Sequence, residues 1–243
     1  MNNVSCYAIV VTYNGKKWYD RCLNSLFNSS IFINVIVVDN KSSDGSVAYI
    51  KHKWPQVTII ENSENVGFAA ANNIGFKFAF ENGADYFFLL NQDAWVEYDT
   101  IEKLLNCHSH FNEFGILSPL HLTGDGMHFD KNFLSYLNSG CGRQAIEDFY
   151  FSRLEKKVYA VPFVNAAAWL VSRKCLKTVG GFDTNLFKHY GEDDNFCNRA
   201  LYHNFKIGIC SNAKAWHDRE NRNNNYYVFN PNNSQKDLFI LYS

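Results

Sequence analysis

The order of patterns along this chain predicts an α/β fold, a mainly parallel central sheet flanked by helices. Three observations carry the reading. Short β-rich runs alternate with helical patterns through the first half, the strand runs are apolar almost throughout, and polar residues stand just after their carboxyl ends. Parallel neighbours need crossover helices between them, which produces the alternation. Strands covered on both faces read as continuous apolar runs.

Residues 7–12 (YAIVVT) form the first expected strand. Tyr19, Cys22, Leu23 and Leu26 then fall at i, i+3, i+4 and i+7, the stripe of an amphipathic helix. Residues 34–39 (NVIVVD) give a buried strand, and Ser42, Ser43 and Asp44 are capping candidates for a helix over 47–53. A third strand spans 57–60. After a loop over 62–67, a helix runs to about residue 80, stopped by Asn82 and Gly83, and a fourth strand follows over 86–90. In open sheets of this kind ligands sit beyond the carboxyl ends of the strands, where Thr12, Asp39, Asn91 and Asp93 all fall. Further on, residues 115–119 and 158–171 are expected to be extended, and 173–179 and 192–202 helical. The Asn-rich stretch 221–233, with Tyr226, Tyr227 and Phe229, reads as a surface loop or a lid.

Composition excludes several classes. With 47% hydrophobic and 19% charged residues among 243, the chain is globular and suits a single domain over 1–243. A formal net charge of -1 gives no long-range attraction to nucleic acid. The seven cysteines are scattered without a CxxC pair, which signals neither a disulfide framework nor a zinc site and fits reduced thiols in a cytoplasm. The opening MNNVSCYAIVV has no basic region before its apolar stretch and reads as a strand, not a signal peptide. No run approaches the ~20 apolar residues of a membrane span, which leaves peripheral contact as the one membrane association open. GxGxxG and phosphate-loop signatures are both missing.

Asp39, closing VIVVD, can accept hydrogen bonds from a ribose or base, although a turn residue would look the same. In ENSENVGFAAANN a glycine beside small residues opens a helix, which favours close approach of phosphate oxygens or merely tight packing on the sheet. Asp93 follows the apolar run YFFLLN and can hold a hard divalent cation; Asn91 is a weaker, neutral oxygen ligand, and His217 in KAWHD can complete such a site. Within GEDDNFCNRAL, Asp193, Phe196, Cys197 and Ala200 share a helix face, so Asp193 is directed with apolar residues toward the interior. A helix amino terminus favours the anion, which suits a general base. Dipole compensation alone accounts for Asp194.

In order, VVTYNG, VVDNKSSDGS, NVGFAAANN, LLNQDA, NAAAWLVSRKCLKTVGGFD, YGEDDNFCNRA and WH resemble the landmarks of the family 2 glycosyltransferases, particularly the rhamnosyltransferase-like branch. The resemblance implies a Rossmann-like GT-A type fold with a nucleotide-sugar half over 1–98 and an acceptor-binding, catalytic half over 99–243. Thr12, Asn14 and Asp39 are then expected around base and ribose, with Asn65, Gly67, Asn72 and Asn91 on the donor. Asp93 matches the last acid of the family's DxD motif, whose first acid is Asn91 here, and His217 the late metal-binding histidine. The implied cofactor is a divalent ion, manganese or magnesium. Asp193 matches the family's base, with Glu192 beside it orienting groups or binding acceptor, and Trp169 is expected to border the acceptor.

The activity so implied is inverting transfer of a sugar, such as rhamnose, from a thymidine or uridine diphosphate donor to a hydroxyl of a glycan or lipid-linked glycan. The setting would be bacterial-type surface polysaccharide synthesis at the cytoplasmic face of the membrane. Two other classes compete: a non-catalytic sugar-nucleotide-binding subunit, which Asn91 favours, and a nucleotidyltransferase, for which VTYNGKKW is a poor glycine-rich basic loop.

Overall fold

A computed structural model describes residues 4–137, 142–151, 153, 158–187 and 190–219. In chain order the elements are β1 (Cys6–Thr12), α1 (Tyr19–Phe27), β2 (Asn34–Asp39), α2 (Ser46–Lys53), β3 (Thr58–Glu61), α3 (Gly67–Glu81), β4 (Tyr86–Leu90), β5 (Ala94–Val96) and α4 (Thr100–His110). They continue with β6 (Phe114–Thr123), α5 (Lys131–Leu137), α6 (Gly142–Tyr150), β7 (Val158–Val161), β8 (Ala168–Ser172), α7 (Arg173–Val179), α8 (Glu192–Tyr202) and β9 (Lys206–His217).

These strands form one sheet in the order β3-β2-β1-β4-β8-β6-β9-β5, with β7 pairing to β9 off that path. The expected parallel sheet describes its first part: β3, β2, β1 and β4 are parallel neighbours. Beyond β4 the sheet is mixed, since β8 joins both β4 and β6 antiparallel while β6 and β9 run parallel.

Alternation along the strands divides the interior. Ile9, Ile36, Phe87 and Trp169 pack on one face with α3, α7 and α8. Ala8, Val10, Phe88 and Leu170 pack on the other, with Tyr19, Cys22, Leu23 and Leu26 of α1 and with α4. The predicted stripe of α1 is therefore its buried face.

Several elements differ from expectation. The extended run over 158–171 is two strands with different neighbours: Pro162 follows β7 directly, offers no N–H to a ladder, and ends the pairing with β9 before the chain crosses to β4 and β6. β6 is longer than predicted because Pro119 is accommodated at a register shift against β9. The short strand β5 and the helices α4, α5 and α6 have no expectation to meet. The stretch 221–233 lies outside the described residues. Among the described residues six cysteines are buried, none of them in a disulfide.

Candidate active site

β1 and β2 end side by side, with Thr12 opposite Asp39. Thr12 Oγ1 donates to Asp39 Oδ1 over 3.0 Å, and the backbone N–H of Ser42 donates to Asp39 Oδ2 over 2.9 Å. The Asp39 carboxylate, 2% exposed, is thus fixed before any ligand arrives. Asn14 adopts φ 49, a left-handed conformation that Asn tolerates better than most residues. Its N–H donates to Ser42 Oγ and its Oδ1 accepts the N–H of Ser43, stapling the loop after β1 to the loop after β2.

The loop before α3 is tied to the same strand end. Asn40 Nδ2 donates to the carbonyl of Gly67, and Asn62 Nδ2 donates to Asn40 Oδ1. Asn65 Oδ1 accepts the N–H of Gly67, whose φ of 83 is a conformation side chains disfavour. Asn72 is buried and donates its amide to the carbonyl of Phe68, one turn back in its own helix.

Beyond β4, Gln92 clamps the β1 loop: its Oε1 accepts the N–H of Tyr13 and its Nε2 donates to the carbonyl of Tyr13. A side chain on Gly15 would overlap Gln92 Oε1. β5 then pairs with the end of β9, placing Ala94 opposite His217. Asp93 Oδ1 lies 3.3 Å from His217 Nε2, and the Asn91 amide nitrogen is 3.4 Å from that same ring nitrogen. Asp93 is 2% and His217 1% exposed.

A carboxylate, an imidazole and an amide that can turn its oxygen inward therefore converge. This donor set fits one manganese or magnesium ion, with the remaining positions free for phosphate oxygens. Among the described residues no group of three His, Cys, Asp or Glu side chains surrounds a common point, so these residues would make only a partial shell for such an ion. On the far side of the imidazole, Asp130 Oδ2 stands 3.7 Å from His217 Nδ1 and 2.7 Å from Arg219 Nε. Burial pushes the Asp130 carboxyl up, but the Phe133 N–H, Arg219 and His217 together outweigh it and hold it below the ordinary carboxylate value. Burial, with His217 nearby, holds the pKa of His121 below the ordinary imidazole value, and this second ring stacks on Phe133.

Asp193 sits in the first turn of α8, after Gly191 with φ 87. Its Oδ2 accepts the N–H of Ala166 over 3.3 Å and its Oδ1 the N–H of Asp194 over 2.9 Å. Burial nevertheless raises its pKa above the ordinary value. A helix amino terminus favours the anion, and desolvation outweighs it here.

Two connections tie Asp193 and the strand end that carries Asn91 and Asp93 to one segment. Ala166 binds Asp193, while the next residue, Ala167, accepts the N–H of Asn91 through its carbonyl over 2.9 Å. The phenol of Tyr136 on α5 is held up first by burial, then by the Asp193 charge, and also feels Arg219 and Asp130.

Trp169 corrects an expectation. It is 0% exposed, with its ring stacked on Phe182 and packed on Phe196, so neither face is open to a sugar. Its place in β8 directs it into the α3, α7 and α8 core. Glu192 opens α8 beside Asp193 and is half-buried. Sequence reasoning missed Asn40, Gln92 and Asp130 as parts of the site. Gln92 lay inside the quoted LLNQDA, and Asp130 carried only the signal of an acid ahead of a helix.

Comparison with known proteins agrees with this architecture. The family-wide sequence pattern described as Glycosyl transferase family 2 matches residues 7–180. The chain is 25% identical over 219 residues to the dTDP-rhamnosyl transferase RfbF of Shigella flexneri, covering 88% of this chain and 69% of that protein. It is 25% identical over 209 residues to the N-acetylglucosaminyl-diphospho-decaprenol L-rhamnosyltransferase of Mycobacterium tuberculosis, covering 77% of this chain and 67% of the relative. A mannosyltransferase from Pyrobaculum calidifontis, solved with GDP-Man and manganese, superposes with a TM-score of 0.66 at 18% identity, covering 89% of this chain and 57% of that one. The chain thus spans little more than half of that solved structure.

Proposed function

We propose, for a chain that belongs to glycosyl transferase family 2, that this glycosyltransferase moves a sugar from a nucleoside diphosphate donor to an acceptor hydroxyl with inversion, using Asp193 as the base. The observation that carries the reading is the run Ala166–Ala167, which holds Asp193 by one residue and Asn91, beside Asp93 and His217, by the next. Base and leaving-group site are thereby fixed to one short segment.

Thr12, Asn14 and Asp39 form the base and ribose end, a prearranged set of polar groups at adjoining strand ends. Asn65 and Gly67 stand at the amino terminus of α3, where backbone N–H groups favour phosphate oxygens. A divalent ion held by Asp93 and His217, with Asn91 alongside, would neutralise charge on the departing diphosphate. Asp193 takes the proton of the acceptor hydroxyl as its oxygen bonds to the anomeric carbon; the bond from that carbon to the diphosphate oxygen breaks on the opposite face. The raised pKa of Asp193 suits it to hold that proton, and Glu192 is placed to orient the acceptor.

The donor half is 1–98 and the acceptor half 99–243, with His217 returning from the second to complete the first. Rhamnose on a thymidine diphosphate and a lipid-linked glycan acceptor, in surface polysaccharide synthesis, follow the named rhamnosyltransferase relatives. No helix of the described residues is long and apolar enough to cross a membrane, and the acceptor would be met at the cytoplasmic surface through peripheral contact.

Incubation of the protein with thymidine, uridine and guanosine diphosphate sugars, manganese and a lipid-linked acceptor tests the reading. A glycosylated product of inverted anomeric configuration is expected. Donor binding without turnover would leave a binding subunit, and release of sugar 1-phosphate, the leaving group of nucleotidyl transfer, a nucleotidyltransferase.

A further inference from the structure

The carboxylate of Asp130 is 1% exposed and divides its two oxygens between two tasks. Oδ1 accepts the N–H of Phe133 over 3.0 Å, which caps α5. Oδ2 accepts from Arg219 Nε over 2.7 Å and faces His217 Nδ1 at 3.7 Å. The backbone holds the residue in place, since Asp130 N–H donates to the carbonyl of His121 in β6.

Capping accounts for Oδ1 alone. Serine or asparagine would cap as well, without carrying a charge out of water. The burial of a full carboxylate, directed by its second oxygen at an imidazole and a guanidinium, calls for a separate cause.

The imidazole supplies it. Nε2 of His217 faces Asp93, so it can offer a lone pair to a cation only when the ring proton is on Nδ1. A buried anion opposite Nδ1 favours that proton, fixes the ring plane and makes Nε2 a stronger donor, the general effect of an outer carboxylate on a metal-binding histidine. At 3.7 Å the pair is about 0.5 Å beyond hydrogen-bond range, so Asp130 acts on Nδ1 here as a buried charge facing the ring.

We propose that Asp130 is a positioning residue that keeps the proton of His217 on Nδ1 and thereby presents Nε2 beside Asp93, while its bond to Arg219 fixes a cation on the same rim. The inference rests on the metal role assigned above to Asp93 and His217.

The test pairs nitrogen-15 NMR of the histidine rings with manganese titration followed by electron paramagnetic resonance, on the full chain without nucleotide sugar. In the parent, a downfield, slowly exchanging N–H on Nδ1 of His217 is expected, assigned by its loss in His217→Gln. Asp130→Asn keeps an oxygen to cap α5, and is expected to lose that signal and to raise the manganese dissociation constant about 10- to 100-fold. A parent without a protonated Nδ1 overturns the proposal whether or not the variant folds. So does an Asp130→Asn protein with the same ring N–H, or with unchanged affinity where the parent binds manganese. A parent that binds no manganese refutes the metal role of Asp93 and His217 instead, and the ring N–H then decides Asp130 by itself.

Discussion

The N–H of Ala166 donates to Asp193 Oδ2, and this 3.3 Å bond joins the segment entering β8 to the first turn of α8. The carboxylate is thus oriented by backbone from a different element, while burial works against its charge. Removing the charge while keeping the shape separates catalysis from binding. Asp193→Asn is expected to lower the single-turnover transfer rate about 100- to 10,000-fold. The donor dissociation constant, read by calorimetry, should be unchanged. Normal turnover in the purified variant refutes the assignment.

The same raised pKa has a sign that can be checked in stability. An acid whose folded pKa exceeds its unfolded value binds more protons folded than unfolded between the two, so its contribution to stability falls as pH rises through that interval. Its full cost is present above the folded pKa, which lies above 3.8 for Asp193. The difference in Tm, Asp193→Asn minus parent, should therefore grow as pH rises from about 4 and then level off. A difference that shrinks over that range contradicts the burial argument.

Asp39 is the corresponding group on the proposed donor side. Truncation to alanine leaves the Thr12 hydroxyl and the Ser42 N–H without their acceptor, a loss of about 1–3 kcal/mol for buried groups. Nucleotide affinity should fall about 10- to 100-fold if the carboxylate takes a charge-assisted bond from ribose or base. Calorimetry with the nucleoside diphosphate alone reads this without any acceptor. Equal affinity in parent and variant would remove Asp39 from the donor site.

The parallel part of the fold was legible because β1, β2 and β4 are nearly continuous apolar runs and α1 carries a stripe. The strand ends were legible for the same reason, and Thr12, Asp39, Asn91 and Asp93 fall where the sequence put them. Pairings set by distant partners were not legible. β5 is three residues long and exists because β9 lies beside it. Trp169 is expected to border the acceptor, and only its packing on Phe182 and Phe196, 13 and 27 residues later, places it in the core. Asp130 gave the signal of a helix cap, and its second oxygen acquires a meaning from residues 217 and 219.

Close approach of α3 to β1 gives a prediction independent of function. A Cβ on Gly75 would lie 2.5 Å from Ile9 Cγ2 and 3.3 Å from its Cγ1, inside a core with no room to yield. The gain in helix propensity from alanine is outweighed by overpacking, which costs about 1–3 kcal/mol. Gly75→Ala should lower Tm by about 2–4 °C for each kcal/mol lost in a chain of this length. A Tm equal to or above the parent's would show that the helix can withdraw from the sheet at no cost.

A reciprocal pair links that helix to the proposed base, Asp193. Asn73 Oδ1 accepts the N–H of Phe182 and Asn73 Nδ2 donates to its carbonyl, each over 2.8 Å. A side chain on Gly181 would overlap Asn73 Oδ1, which accounts for glycine there. The Phe182 ring meets Phe196 at 5.2 Å, and Phe196 lies one turn along α8 from Asp193, so the amide fixes the loop on which the base helix leans. Asn73→Ala breaks both bonds at a cost of about 1–3 kcal/mol. Asn73→Asp keeps the acceptor but sets a carboxylate against the Phe182 carbonyl, and should be at least as destabilised in urea. If the loop transmits its position to Asp193, both variants lose kcat while the donor dissociation constant holds. A loss of stability with kcat intact would confine Asn73 to the fold.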